Sequence, residues 1–228
     1  MTKLPQTSAE APTSVYRVLL VDDHPIVREG LEARMAQEPD LVVCGSISDA
    51  QQALTLIPMV NPDLVIADLS LQGRPGLELI KDLDRLYPAL PVLVLSLHDE
   101  SMWAERVLRA GAKGYISKSL PTQHVIDGIR RIREGGIAVS EQISNRLLQK
   151  LTTTTGPAAG SPVARLSDRE LEVFQMLGQG LAIREIAARL FLSPKTVEVH
   201  REHIKAKLGL KSSSDVLRHA LLYTLEAS

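Results

Sequence analysis

The sequence predicts an α/β protein, a doubly wound five-stranded parallel sheet followed by a small all-α domain. Three observations carry that expectation. Short apolar runs with no polar alternation recur between helix-length segments, the mark of strands buried on both faces by helices. The stretch "TTTTGPAAGSP" (152–162) has no apolar period and reads as a flexible linker. From Leu166 onward the apolar spacing is purely helical.

Taken in order, residues 1–14 hold two prolines and several small polar residues and are expected to be a disordered tail. The five strands are "VLLV" (18–21), "LVVC" (41–44), "LVIA" (64–67), "PVLVLS" (91–96) and "GYIS" (114–117). Helices are expected over 26–37, 49–59, 76–87, 101–111 and 121–134, one after each strand, which gives the βα repeat of a doubly wound sheet. The domain boundaries are therefore 15–134 for the sheet domain, 135–164 for a linker containing a short helix (140–151), and 165–228 for the helical domain. In the last, Ser167 with Glu170 matches a capping box, and Ser193-Pro194 matches an N-cap followed by proline at the first helical position.

Composition narrows the function classes. A chain of 228 residues, 44% hydrophobic, can build two ordinary cores. No apolar run approaches a membrane span, and the polar N-terminus does not resemble a secretory signal, so a cytoplasmic protein is expected. The single cysteine, Cys44, excludes an internal disulfide and reads as a buried strand thiol. The net charge of −1 hides an asymmetry: residues 165–228 carry ten basic against eight acidic side chains, whereas the first 164 carry 16 against 19, a weak hint of nucleic-acid binding.

Functional residues of an open parallel sheet collect at the carboxyl ends of its strands. Asp22 and Asp23 end the first strand and Asp68 the third; if those strands are neighbours, three carboxylates converge and need a cation. Oxygen-only ligands favour Mg²⁺. Ser96 ends the fourth strand and Lys118 follows the fifth, a hydroxyl and an ammonium suited to the oxygens of a phosphoryl group. Any one of these could be a polar residue leaving the core; five together are hard to explain that way.

In the helical domain, placing 195–208 at the helical angle puts Val197, Ile204 and Leu208 on one face, flanked by His200 and Arg201. Lys195, Val199, Glu202, His203 and Ala206 lie opposite, with Thr196, Glu198, Lys205 and Lys207 at the margins. On charge alone the lysines are an ordinary solvated face.

"DDHPIVREGL", "PDLVIADLS", "VLVLS" and "GAKGYISK" resemble the receiver domain of two-component response regulators, a flavodoxin-like fold, over residues 15–134. "LSDRELEVFQMLGQGLAIREIAARLFLSPKTVEVHREHIKAKLGL" resembles the LuxR-type helix-turn-helix, and the pair resembles the NarL/FixJ family. The resemblance implies a DNA-binding transcription regulator switched by phosphoryl transfer from a sensor histidine kinase to Asp68. It implies Mg²⁺ held directly by Asp23, Asp68 and the Ser70 backbone carbonyl, with Asp22 acting through water. Lys118 would pair with the phosphoryl group, Ser96 would hydrogen-bond it, and Tyr115 would turn in response. Some of the Leu217, Leu221 and Leu222 stripe of the final helix (213–223) is expected to be core, and the resemblance also implies that part of it is a dimer contact, with homodimers on double-stranded DNA read by the helix 194–208 and RNA polymerase as a further partner. The chain would not be an enzyme beyond accepting and slowly losing its own aspartyl phosphate. The DNA contacts would come from Lys195, Thr196, Glu198, Val199, Glu202, His203, Lys205 and Lys207, with Glu202 reading a base and the lysines meeting phosphates. Glu198 would read as well or pair with Lys195 or Arg201.

Departures from the family pattern are Leu71 and Gln72 after Asp68, which leave that loop less constrained, and Ser119 after Lys118. His24 is read as a helix-entry residue, His200 as a core-edge residue, and His98 as a residue affecting dephosphorylation or, equally, an exposed loop histidine. Two rival functions are weaker. A haloacid-dehalogenase-type hydrolase needs an acid two residues after its nucleophile, where this chain has Ser70. A regulator that has lost phosphorylation would not keep Asp22, Asp23, Asp68, Ser96 and Lys118.

Overall fold

The computed structural model describes residues 15–71, 75–152 and 162–227, apart from the side chains of 150–152 and 225–227. The expected tail (1–14), Gln72 and most of the 152–162 linker lie outside the described residues.

The first domain alternates β1 (Tyr16–Val21), α1 (Pro25–Met35), β2 (Leu41–Ile47), α2 (Ala50–Val60), β3 (Leu64–Ala67), α3 (Gly76–Leu86), β4 (Val92–Ser96), α4 (Glu100–Arg109), β5 (Gly114–Ser117) and α5 (Gln123–Arg133). All pairings are parallel, in the order β2-β1-β3-β4-β5. The unalternating apolar runs are explained by two cores. Val18 and Leu20 pack with Leu31 and Met35 of α1 and Ile126 and Ile129 of α5 on one face. Leu19 and Val21 pack with Ala53 and Ile57 of α2, Ile80 of α3 and Trp103 of α4 on the other.

Segment 136–140, expected to be linker, belongs to this domain. Ala138 is buried, its N–H donates to Lys113 O and its carbonyl accepts from Tyr115 N–H, so it closes the free edge of β5. The short helix α6 (Glu141–Thr152) then lies on α4, where Arg146 Nη1 donates to Ser101 O at 3.2 Å.

The helical domain opens with a 3-10 turn, Pro162–Arg165, whose buried Val163 makes it part of the core and moves the boundary earlier than 165. α7 (Asp168–Gly178), α8 (Ile183–Arg189), α9 (Pro194–Lys207) and α10 (Ser213–Ala227) pack around Leu171, Phe174, Ile186, Val197, Ile204, Val216 and Ala220. Both caps form as expected. Ser167 and Glu170 make the reciprocal capping box, and Ser193 caps α9 through Thr196 N–H ahead of Pro194, each cap contributing about 1 kcal/mol. Gly178 lets α10 approach, since a Cβ there would lie 2.5 Å from Ala220 O. No described helix is long and apolar enough to cross a membrane.

Candidate functional site

The strand order reverses between β1 and β3, which are paired with Val21 opposite Ala67. The residues that follow, Asp22 and Asp68, therefore leave the sheet side by side, with Asp68 N–H donating to Val21 O at 2.9 Å. β4 and β5 end level in the same way: Ser96 faces Ser117, and Lys118 N–H donates to Ser96 O. The topology thus assembles at one rim the five side chains that the sequence leaves scattered over 97 positions from Asp22 to Lys118.

The Lys118 ammonium lies 2.8 Å from Asp22 Oδ2 and 2.7 Å from Asp68 Oδ2, all three side chains being buried. Two further carboxylate oxygens, Asp23 Oδ1 and the second oxygen of Asp68, Oδ1, are buried and accept no hydrogen bond. Burial pushes the Asp23 carboxyl above its usual range, the Asp68 and Asp22 charges add to this, and His24 and Lys118 oppose it. Orphaned, mutually repelling carboxylate oxygens are what a hard divalent cation satisfies, and the cluster Asp22, Asp23 and Asp68 fits Mg²⁺.

His24 does enter a helix, as the N-cap of α1. Its ring also reaches the acids, with Nδ1 2.7 Å from Asp23 Oδ1 and 3.1 Å from Asp22 Oδ1. Close as it is, the first approach makes no hydrogen bond to Asp23 Oδ1, which stays without one. The sequence carried a signal for this contact in the bare adjacency of His24 to two acids.

Gly76 fixes the loop that follows Asp68. It needs no unusual φ, but a Cβ at this position would lie 1.9 Å from Asp68 O and 2.7 Å from Leu69 Cα. Only glycine lets α3 begin against the Asp68 carbonyl.

Tyr115 is buried, and its hydroxyl donates to His98 O; burial pushes that hydroxyl's pKa up. Ser96 is fully buried and its Oγ accepts from His98 N–H at 3.2 Å. His98 itself is not an exposed loop residue. Burial holds its imidazole below its usual range, outweighing the Asp68 charge and a bond to Gln175. Gln175 Oε1 lies 3.0 Å from His98 Nδ1 and also accepts from Trp103 Nε1 at 2.8 Å. An acceptor at Gln175 puts the His98 proton on Nδ1, which leaves Nε2 to accept from Ser70 Oγ at 3.1 Å. Ser70, expected to offer its backbone carbonyl to a cation, thus also engages His98 through its side chain.

At the second site, Val197 and Ile204 are buried and Leu208 is half-buried, so α9 packs by the face assigned from periodicity. Lys195, Glu198, Val199, Glu202, His203 and Lys207 are exposed, and Thr196 and Lys205 are half-buried at the margin. His200 is half-buried at the core edge, with burial lowering its pKa. Two expected phosphate-binding lysines are engaged within the domain. Lys205 pairs with Glu202, and Lys207 lies 2.6 Å from Glu170 Oε2. Burial raises the pKa of Glu170, but Lys207 and the Ser167 cap outweigh it and hold the carboxyl low. Among the described residues Glu198 pairs with neither Lys195 nor Arg201. On α10, Leu217, Leu221 and Leu222 are all about half exposed, so the core contacts come from Val216 and Ala220 and the whole leucine stripe is left open.

Residues 18–130 match the response regulator receiver domain, and residues 164–220 match the bacterial regulatory proteins of the luxR family. The chain is similar to the oxygen regulatory protein NreC of Staphylococcus carnosus, 34% identical over 209 residues that span 90% of this chain and 96% of NreC. Among solved structures it is similar to RcsB of Salmonella typhimurium, 26% identical with a TM-score of 0.66, covering 91% of this chain and 97% of RcsB. RcsB bound to promoter P1flhDC in the presence of the phosphomimetic BeF3− is also similar, at 26% identity and a TM-score of 0.62 over 91% of this chain and 98% of that one. So is a structure of two RcsB dimers bound to two parallel DNAs, at 27% identity and 0.55 over 89% and 96%. A receiver with its acidic rim intact, followed by a LuxR-type helix-turn-helix and aligned with such relatives end to end, makes the chain a member of the NarL/FixJ family of response regulators.

Proposed function

We propose that this chain is a DNA-binding transcription regulator switched by phosphoryl transfer from a sensor histidine kinase to Asp68. The observation that carries the reading is the state of the Asp68 carboxylate: buried, with one oxygen held by Lys118 and the other unpartnered. One carboxylate oxygen of Asp68 attacks phosphorus in line while the other stays available to the cation; an O–P bond forms as the N–P bond of the donor phosphohistidine breaks, and the leaving imidazole takes up a proton. Asp22, Asp23, Asp68 and the Ser70 carbonyl would hold Mg²⁺, which supplies charge neutralisation for the incoming phosphoryl oxygens. Lys118 then shifts its pairing from the free carboxylate to the phosphoryl group.

Ser96 transmits the change. Its hydroxyl accepts from His98 N–H in this conformation, and turning toward a phosphoryl oxygen would loosen that bond. Tyr115 already lies inward against the His98 carbonyl, so the moving part is the 96–98 loop that both residues hold. The chain acts on no separate substrate; it accepts and slowly loses its own aspartyl phosphate. A cytoplasmic location and contact with RNA polymerase belong to the same reading.

The reading face of α9 is short and carries few free cations, so one copy offers too little contact for specific binding. The open leucine stripe of α10 suits a second copy. When random duplexes are selected with phosphodonor-treated protein and the bound pool is sequenced, two related half-sites are expected. Light scattering on a selected duplex should then give a dimer. A monomer saturating a single half-site at full affinity would refute this part of the reading.

A further inference from the structure

The DNA-reading face of α9 is exposed in this conformation, with its Val199 45% open to solvent. What the helical domain covers instead is the phosphorylation site. A cleft of about 460 Å³ leads to the acidic rim, walled on the receiver side by Asp23, Ser70 and His98 and on the other by Arg169, Glu172 and Phe191.

The covering is latched at two points on α4. Arg106 Nη1 lies 3.0 Å from Asp168 Oδ1, and its Nη2 donates to Leu166 O at 2.8 Å and Val163 O at 3.3 Å, gripping the entry to α7. Lys81 of α3 adds a second cation 3.0 Å from Asp168 Oδ2. Deeper in, Gln175 of α7 accepts from Trp103 and bonds His98, and its Nε2 lies 3.0 Å from Met102 Sδ. Gln175 and Trp103 are both buried, and a single apolar cluster runs from the sheet through Trp103 to Val163 and Phe174. A polar glutamine at the centre of an apolar contact is stable only with its hydrogen bonds made, so this junction has one register rather than a slippery surface.

We propose that the helical domain gates phosphoryl transfer by donor size. While Gln175 and Arg106 hold it closed, the cleft admits a small phosphodonor but not a phosphohistidine carried on a folded kinase domain, which must wait for α7 and α8 to swing away. The latch is built on His98, whose backbone Ser96 and Tyr115 hold, so phosphorylation acts on the contact that keeps the domains together. Transfer from a protein donor is then limited by the open fraction of molecules.

Access can be measured without any phosphodonor, so failure here leaves the phosphorylation of Asp68 standing, and labelling by a small phosphodonor tests that separately. A full-length Cys44→Ser, Asp68→Cys chain is reacted with methyl methanethiosulfonate and, in parallel, with a maleimide joined by a short linker to a small folded protein. Gln175→Ala and, separately, Asp168→Asn open the latch from the helical domain, and Asp168 is a partly exposed surface position whose loss leaves the receiver core untouched. The bulky reagent should react about tenfold faster with either opened variant than with the parent, while the small reagent keeps its rate. Trp103, the chain's single tryptophan, should shift its emission to the red in the same variants as it loses its cover. A bulky reagent that reacts equally fast with parent and variants, or rates for the two reagents that rise together, would overturn the gate.

Discussion

Asp68→Asn takes up no phosphoryl group from a small phosphodonor under conditions in which the wild type takes up one per chain. The expectation follows from the rim. Asp68 is the carboxylate that Lys118 reaches from β5, that Gly76 braces from behind and whose second oxygen is unpartnered. The amide of asparagine keeps the shape but has no nucleophilic oxygen. Excess chelator should abolish labelling of the wild type as completely, because Asp22, Asp23 and Asp68 would otherwise repel the phosphoryl oxygens. Intact-mass spectrometry checks both. Stoichiometric labelling of Asp68→Asn, or undiminished labelling of the wild type in chelator, would defeat the assignment.

Two substitutions on α9, one helical step apart, should move DNA binding in opposite directions. Lys205→Ala should weaken binding to every sequence and lower the salt slope by about one unit, as expected for a lost phosphate contact. Glu202→Ala should hold or raise non-specific affinity. Its carboxylate is held ionised by Lys205, and removing it both takes a negative charge away from the phosphates and releases Lys205 toward them. If the Glu202 carboxylate accepts from a cytosine amine in the major groove, the same variant should relax preference at one base pair by about tenfold. The Lys205–Glu202 pair makes the two effects non-additive in the double variant. Fluorescence anisotropy over a salt series, with selection and sequencing of bound duplexes, reads both. An unchanged consensus with Glu202→Ala would mean that Glu202 is a solvated side chain and that other residues read the bases.

The strands and the acidic rim were legible because both follow from short-range rules. Runs such as "LVIA" say how a strand is buried, and in a parallel sheet a polar residue just after such a run sits at the functional rim. The α9 faces were legible for the same reason, since 3.6-residue periodicity separates Val197 and Ile204 from Val199 and Glu202. What stayed hidden is long-range. Nothing near His98 in the sequence announces Gln175, 77 positions away, so a half-buried bridge looked like an exposed loop histidine. Segment 136–140 reads as linker because its role is to close the edge of β5 through backbone hydrogen bonds, which leave no side-chain pattern. The α10 leucines were misjudged in part because a helical stripe does not say whether it faces a core or a partner; here Val216 and Ala220 fill the core and the leucines face out.

The central claim is that the state of Asp68 sets the affinity of α9 for DNA. One selected duplex, titrated with wild type and with Asp68→Asn, each with and without beryllofluoride and Mg²⁺, measures this directly. The wild type should bind more tightly when the phosphoryl mimic is present, and Asp68→Asn should bind the same with and without it. A wild type whose affinity does not change, or an Asp68→Asn variant that tightens as the wild type does, would contradict the account.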